Sequence, residues 1–167
     1  SVDIAVHSLK DLPTAAPDGL EVVAYPDRED TREVLVGRWF DDPEAAGRPL
    51  VIGTGAPRRA AQLRQLAADR GVEVRIEPIR GNVDTRLQQV RDGRFDATVL
   101  AAAGLRRLGR IDDADLSDGA VTVAGSAARL LTYEELLPAP GQGALAVETA
   151  ADLDSDIRSV LTRLDSA

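Results

Sequence analysis

Arginine side chains follow three successive strand-like segments of the sequence, and together they could hold a small organic polyanion. They form three groups along the chain: Arg58 with Arg59, Arg80 with Arg86, and Arg106 with Arg107. Planar guanidinium groups pair with carboxylates and phosphates through two parallel hydrogen bonds. The free N–H groups of a helix N-terminus attract the same anions. Because ligands collect at the carboxyl ends of strands in open α/β sheets, the spacing predicts an anion site at one sheet edge.

The first arginine group follows a glycine-rich turn that contains Thr54. The turn, Gly53-Thr54-Gly55-Ala56-Pro57, leads into a helical pattern. It lacks the Gly-Lys-Ser/Thr ending of a P-loop, so nucleotide binding has little support. From the residues alone, an ordinary strand-to-helix turn explains the glycines as well as an anion site does.

Lys10 and Asp11 form a second candidate site, after another strand-like segment. Lys10 is the only lysine among twenty basic residues, which indicates a position that needs a compact ammonium group. Asp11 could act as a general acid or base, or could stabilise a cation. From the residues alone, an exposed ion pair worth about 0–1 kcal/mol is the commoner explanation. A packing or capping role is the commoner one for His7, the only imidazole.

Charge is unevenly distributed along the chain, whose net charge is −8. From Thr54 to Arg110 there are twelve arginines and six acidic residues, whereas the remainder has eight basic and twenty-two acidic residues. Solvated helix faces would explain part of this pattern. The acidic remainder opposes nucleic-acid binding, and only 3% of the residues are aromatic, so a small polyanion is the better match.

Composition excludes several classes of protein. Of the 167 residues, 44% are hydrophobic and 29% are charged, as in soluble globular domains. No apolar run approaches the roughly 20 residues of a membrane-spanning helix. The chain has no cysteine, so it offers no disulfide and no thiol nucleophile. No secretory signal is visible, and a first residue already beside a strand leads us to expect that the natural N-terminus lies upstream.

Alternating strand-like and helical segments must position these residues. β-branched runs and alternation predict strands, and 3.6-residue apolar periodicity predicts helices. The predicted strands are Val2–Val6, Leu20–Tyr25, Val34–Val36, Leu50–Ile52, Val72–Ile76, Ala97–Ala101 and Ala144–Glu148, and the predicted helices are Pro57–Arg70, the segment between Asn82 and Gly93, Gly104–Leu108 and an apolar stripe from Leu153 to Leu164. This order is typical of an α/β fold with a mainly parallel sheet.

Five motifs occur in the order seen in porphobilinogen deaminases. They are His7-Ser8-Leu9-Lys10-Asp11-Leu12-Pro13, Gly53-Thr54-x-x-x-Arg58-Arg59, Arg80-Gly81-Asn82-x-x-Thr85-Arg86-Leu87, Ala103-Gly104-Leu105-x-Arg107-Leu108-Gly109 and Pro138-Ala139-Pro140-Gly141-Gln142-Gly143-Ala144. Each motif alone is weak, but five in order cover nearly the whole chain. The sequence therefore resembles the porphobilinogen deaminase (hydroxymethylbilane synthase) family.

The resemblance implies a fold and a division into domains. The family has a type II periplasmic-binding-protein-like α/β architecture, with a mainly parallel mixed sheet in each of two similar domains and a third domain after them. By match, residues 1–27 are part of domain 1, 28–137 are domain 2, 138–150 return to domain 1, and 151–167 form a C-terminal helix leading to domain 3. On this reading the chain is a fragment that lacks the first strands of domain 1 and all of domain 3.

The resemblance also implies a reaction and its residues. The family joins four porphobilinogens into the linear tetrapyrrole hydroxymethylbilane, releasing ammonia at each step, on a dipyrromethane cofactor held by a domain 3 cysteine. By match, Asp11 is the catalytic carboxylate that stabilises cationic ring nitrogens. The other matched residues contact the cofactor (Lys10, Thr54, Arg58, Arg59, Arg80 and Arg86) or the substrate (Arg107 and Gln142). We expect a cytoplasmic monomer in tetrapyrrole and heme biosynthesis, with no metal, nucleic-acid or membrane partner.

The sequence departs from the family pattern in two ways, and an alternative function is also compatible with it. Gly55 and Ala56 stand where the family usually has two serines, which removes two hydroxyl groups from the cofactor site. Because the chain has no cysteine to anchor the cofactor, we expect that it does not turn over by itself. The alternative function is a non-catalytic organic-anion-binding module of the periplasmic-binding-protein type.

Overall fold

Strands from the two ends of the chain pair with one another, whereas the middle of the chain forms a sheet of its own. The structure, a computed structural model, describes residues 2–41, 47–111 and 119–166. It divides into a terminal unit (residues 1–31 and 139–167) and a central unit (residues 32–138). The acidic stretch 112–118, whose composition predicts turns, lies outside the described residues, as does most of the Asp/Gly/Pro-rich stretch 41–49 that divides two predicted strands.

The terminal unit is built on a three-stranded antiparallel sheet. Its strand order is β1 (Ile4–Ser8), β9 (Leu145–Ala150) and β2 (Leu20–Ala24). A 3-10 helix, Leu9–Asp11, follows β1 directly. The helix α4 (Ser155–Leu161) begins after Asp154, whose carboxylate accepts hydrogen bonds from the N–H groups of the first turn. The predicted apolar stripe on α4 is not buried, since Ile157 and Val160 are 45% and 58% exposed.

The central unit contains a six-stranded mixed sheet in the order β5-β4-β6-β3-β8-β7. The strands are β3 (Glu33–Gly37), β4 (Leu50–Gly53), β5 (Val74–Glu77), β6 (Ala97–Ala101), β7 (Ala120–Val123) and β8 (Ser126–Leu130). β4 pairs in parallel with β5 and β6, whereas β3 is antiparallel to β6 and β8, and β7 is antiparallel to β8. Four strands (β5, β4, β6 and β8) therefore run in one direction, and the prediction of a mixed, mainly parallel α/β sheet is confirmed.

Three helices follow the parallel strands of the central unit. They are α1 (Pro57–Asp69) after β4, α2 (Val83–Arg91) after β5 and α3 (Ala102–Arg107) after β6. Because β4, β5 and β6 are parallel, all three helices begin at the same edge of the sheet. The arginines that the sequence singled out lie in the first turns of α1 and α2, in the turn just before α2 and at the end of α3.

Apolar spacing fixes how the first of these helices packs. Pro57 occupies the first helical position, where its missing N–H costs no hydrogen bond. Leu63, Leu66 and Ala67 recur on one face and are buried against the strand residues Leu50 and Ile52. Burying a leucine side chain stabilises a fold by about 1.5–3 kcal/mol, so this face holds α1 firmly against the sheet.

Candidate functional site

The turn after β4 holds Thr54 in a buried position. Its backbone N–H donates to the carbonyl of Glu77 at 2.9 Å, and its hydroxyl oxygen accepts from the N–H of Ala56 at 3.2 Å. At Gly53 a Cβ atom would lie 3.0 Å from the Phe95 ring, so a side chain at this strand end would fit only if Phe95 shifted by a few tenths of an ångström. A Cβ at Gly55 would meet only the Ile79 carbonyl, at 3.4 Å, an ordinary van der Waals distance, so the turn has space for a small side chain at this position.

A buried carboxylate lies between the two arginines of the first group. Glu33, the first residue of β3, is 0% exposed. Its Oε1 accepts from the Arg59 Nε at 2.9 Å and from the Arg58 Nη2 at 2.6 Å, while its Oε2 accepts from the Arg59 Nη2 at 2.7 Å. Arg59 also donates to the carbonyl of Val99 at 3.1 Å, and Arg58 donates to the carbonyl of Leu137. One carboxylate therefore fixes two guanidinium groups.

The ion pairs determine the protonation of Glu33. Burial alone would raise the pKa of this carboxyl group. The hydrogen bonds and positive charges of Arg59 and then Arg58 outweigh burial, and the pKa lies below its ordinary value of 4.5. Glu33 is therefore ionised at neutral pH. With three of its N–H donors bound, Arg59 keeps at most two for any ligand.

The second arginine group lies at the start of α2. Asn82 caps this helix: its side-chain oxygen accepts from the Thr85 N–H at 2.9 Å and from the Thr85 hydroxyl at 2.8 Å. Gly81 has a φ of +107°, and a Cβ there would lie 2.7 Å from Thr85, so the turn requires glycine. The Arg86 Nε donates to the Gly81 carbonyl at 2.8 Å, which ties the guanidinium to the turn.

Electrostatics shows which of the predicted arginines the structure brings together. Partial burial first, and the positive charges of Arg59 and Arg80 second, hold the pKa of the Arg86 guanidinium below its ordinary value. Arg86 therefore lies within electrostatic reach of both. Arg58 joins the group through Glu33. We call Arg58, Arg59, Arg80 and Arg86 the arginine cluster; Arg107 lies exposed at the end of α3, which starts at the same sheet edge.

The terminal unit positions the other predicted residues. The Lys10 Nζ donates to the Gln142 Oε1 at 3.4 Å, a long contact. Gln142 is 0% exposed; its Nε2 donates to the Thr31 carbonyl at 2.8 Å, and its own carbonyl accepts from the Arg28 Nε at 3.0 Å. The structure thus gives Gln142 a part in holding two loops of this unit together, while Asp11 is exposed at the end of the 3-10 helix.

His7 lies against a carboxylate within the terminal sheet. Its Nε2 is 3.2 Å from the Glu148 Oε2, but this buried nitrogen makes no contact with hydrogen-bond geometry. The pair is therefore a side-chain contact between β1 and β9. This position is compatible with the packing role that the sequence favours.

Sequence reasoning missed Glu33 and Arg28. A charged residue directly before the buried run Val34–Val36 was the available signal for Glu33, since a fully buried carboxylate needs a cationic partner. Arg28 carried no such signal, because its partner is a backbone carbonyl distant in sequence.

A family model and the curated relatives of this chain name the same family. A family model described as "Porphobilinogen deaminase, dipyromethane cofactor binding domain" matches residues 1–159. The protein named Porphobilinogen deaminase 1 of Streptomyces coelicolor is 52% identical over 164 residues, which cover 98% of this chain and 47% of the relative. The Porphobilinogen deaminase of Mycobacterium tuberculosis is 48% identical over 168 residues, which cover 99% of this chain and 48% of the relative.

An α/β unit with clustered arginines at one sheet edge and a match to a cofactor-binding domain define the class. The chain belongs to the porphobilinogen deaminase family. It spans about half the length of the curated relatives it matches. Among solved structures, the LysR family regulator CbnR aligns with 98% of this chain and 51% of its own at 11% identity and a TM-score of 0.48. Within the described residues, no helix is long and apolar enough to cross a bilayer.

The lowered pKa of Glu33 predicts a pH dependence of stability. Because its folded-state pKa lies below 4.5, the pairing stabilises the folded chain above about pH 4.5, and this stabilisation is lost as the pH falls through the folded-state pKa. We expect Glu33→Gln to lower the free energy of unfolding by about 3–5 kcal/mol at pH 7, since it leaves buried Arg59 without a counter-charge. Urea denaturation between pH 7 and pH 3 should show this difference shrinking at low pH.

The control for this measurement is Glu73→Gln, which removes one exposed carboxylate from the same unit. We expect its unfolding free energy to follow that of the parent. A Glu33→Gln difference that stays constant down to pH 3 would contradict the assignment.

Proposed function

We propose that this chain provides the cofactor-binding and substrate-binding part of a porphobilinogen deaminase. The parent protein would condense four porphobilinogens into hydroxymethylbilane, with release of ammonia at each step. The observation that carries the proposal is the arginine cluster in a chain of this family: Arg58 and Arg59 are held on Glu33 at the start of α1, and Arg86 is tied to the turn before α2 at the same sheet edge. Like charges held this close favour an anionic ligand, because the ligand relieves their repulsion.

The donor set suits the dipyrromethane cofactor that the family description names. Each pyrrole ring of such a molecule carries an acetate and a propionate, so guanidinium groups on two helix starts match its carboxylates. We propose that Arg58, Arg59, Arg80 and Arg86 bind these carboxylates, with Thr54 and Lys10 as further contacts. Arg107 and Gln142 are proposed substrate contacts, Gln142 acting from its buried position through Lys10. Covalent attachment needs a cysteine, which this chain does not contain.

Asp11 is the proposed catalytic residue. In each condensation the C–N bond of the aminomethyl group breaks, ammonia leaves, and a C–C bond forms between that methylene carbon and a ring carbon of the other pyrrole. The ring nitrogens carry positive charge before the proton on the attacked carbon departs. A carboxylate beside them stabilises this charge more strongly than it stabilises the neutral reactants, which lowers the barrier.

The organisation of the whole protein is part of the same proposal. The central unit would correspond to the family's second domain and the terminal unit to part of its first, each of the type II periplasmic-binding-protein kind. We propose that the second domain spans residues 28–137 and that the segment after residue 150 leads towards a third domain. We also propose a cytoplasmic monomer that acts on a small-molecule substrate.

Ligand titration tests the proposed substrate class. We expect porphobilinogen to bind the chain more tightly than succinate, a simple dicarboxylate, when both are followed by isothermal titration calorimetry. Arg86→Gln should weaken porphobilinogen binding by about tenfold or more, since a hydrogen bond to a charged group contributes about 1.5–3 kcal/mol. Arg64→Gln, an exposed arginine on α1, is the matched control and should bind as the parent does. Equal affinity for the two ligands would instead favour a general anion-binding module.

The role of Asp11 is tested in a full-length protein. Grafting this segment into a complete homologue supplies the anchoring cysteine, and Asp11→Asn then removes the charge but keeps the shape. We expect tetrapyrrole formation, followed by absorbance of the oxidised product, to fall by a factor of about 10² or more, the range seen when a charge-stabilising group is removed. Near-parental turnover in the variant would exclude Asp11 from catalysis.

A further inference from the structure

Glu33 is held by the backbone in one place. Its strand, β3, lies between β6 and β8, and the residue pairs in register with Ala101 of β6. Its carbonyl oxygen also accepts a hydrogen bond from the N–H of Leu131 at 2.8 Å. A side chain on an interior strand has little freedom to move, so the carboxylate is a fixed point at the sheet edge where α1 begins.

The carboxylate determines where two guanidinium groups lie. Arg59 binds it through two parallel hydrogen bonds, of 2.9 Å from Nε and 2.7 Å from Nη2. Arg58 shares the Oε1 atom at 2.6 Å. Two adjacent arginines would otherwise repel one another and adopt many rotamers, since each arginine side chain has about 2 kcal/mol of rotamer entropy. Glu33 removes both effects for the pair.

The negative charge of Glu33 and its positioning of the arginines would have opposite effects on the affinity for an anion. A negative charge beside an anion site repels the ligand, so charge alone would make Glu33 weaken anion binding. Guanidinium groups that are already ordered lose less conformational entropy when an anion binds. By ordering Arg58 and Arg59, Glu33 would therefore strengthen anion binding. We expect the positioning effect to be the larger one, because all three hydrogen bonds to the Glu33 carboxylate hold an arginine of the cluster in place.

We propose that Glu33 is a positioning residue for the arginine cluster: it does not touch the ligand, but it orients Arg58 and Arg59 for carboxylate binding. This inference rests on the proposed function in that it takes an organic polycarboxylate as the ligand. It adds a determinant of affinity that lies beneath the site and acts only through the two arginines.

Two substitutions separate position from charge. Glu33→Gln leaves one acceptor oxygen and places an amide NH₂ against a guanidinium donor. It therefore removes both the negative charge and the bidentate hydrogen bonding to Arg59. Glu33→Asp keeps the charge and withdraws the carboxylate by one methylene. We expect porphobilinogen affinity to fall by about tenfold or more in Glu33→Gln and by less in Glu33→Asp, with Glu73→Gln unchanged, each variant first shown to be folded by circular dichroism.

The outcomes are distinct. Unchanged or tighter binding in folded Glu33→Gln would overturn the inference, because it would leave only a structural or charge effect. If Glu33→Gln does not fold, the affinity of Glu33→Asp for porphobilinogen decides between the two effects. Weaker binding at constant charge supports the positioning role, whereas parental affinity overturns it. Equal binding of succinate and porphobilinogen to the parent chain would contradict the proposed function alone, since the variants can then be compared with succinate. A parent chain that binds neither ligand overturns both.

Discussion

The arginine cluster depends on a single buried ion-pair network, in which the carboxylate of Glu33 binds Arg58 and Arg59. This negative charge offsets the repulsion between the two guanidinium groups and the cost of burying Arg59. Arg86 is tied to the turn before α2, a helix that begins at the same sheet edge as this pair. The buried hydrogen bonds between Glu33 and the two arginines thus determine where positive charge lies at this sheet edge.

Topology explains why residues distant in sequence share this edge. The parallel strands β4, β5 and β6 each end where a helix begins, so every β-α unit adds its turn to the same side. In the first turn Pro57 starts the helix directly before the paired arginines, and in the second Gly81 and Asn82 start the helix that carries Arg86. The two turns use different residues to satisfy the backbone, yet both are followed by an arginine in the first turn of a helix.

Sequence reasoning predicted this region well because each element there has a local signal. The strand Ala97–Ala101 was predicted with its observed bounds, the first helix begins at the predicted Pro57, and the second begins directly after Asn82, as predicted. The hairpin of β7 and β8 was missed, because its turn uses Ala124 at a φ of +47° before Gly125 and its strands are rich in alanine, a weak strand former. The ion pairs of Glu33 were missed because they join residues that are separated by about two dozen positions and that only the folded sheet brings together.

The most direct test of this account follows the arginine side chains themselves during porphobilinogen binding. The Nε–Hε signals in ¹H–¹⁵N NMR spectra report on each guanidinium group separately. We expect the signals of Arg80 and Arg86 to shift with increasing porphobilinogen, together with those of Arg58 and Arg59, while the signal of the exposed Arg64 stays in place. Shifts confined to Arg64 and other exposed arginines, with the cluster signals unmoved at saturation, would contradict it.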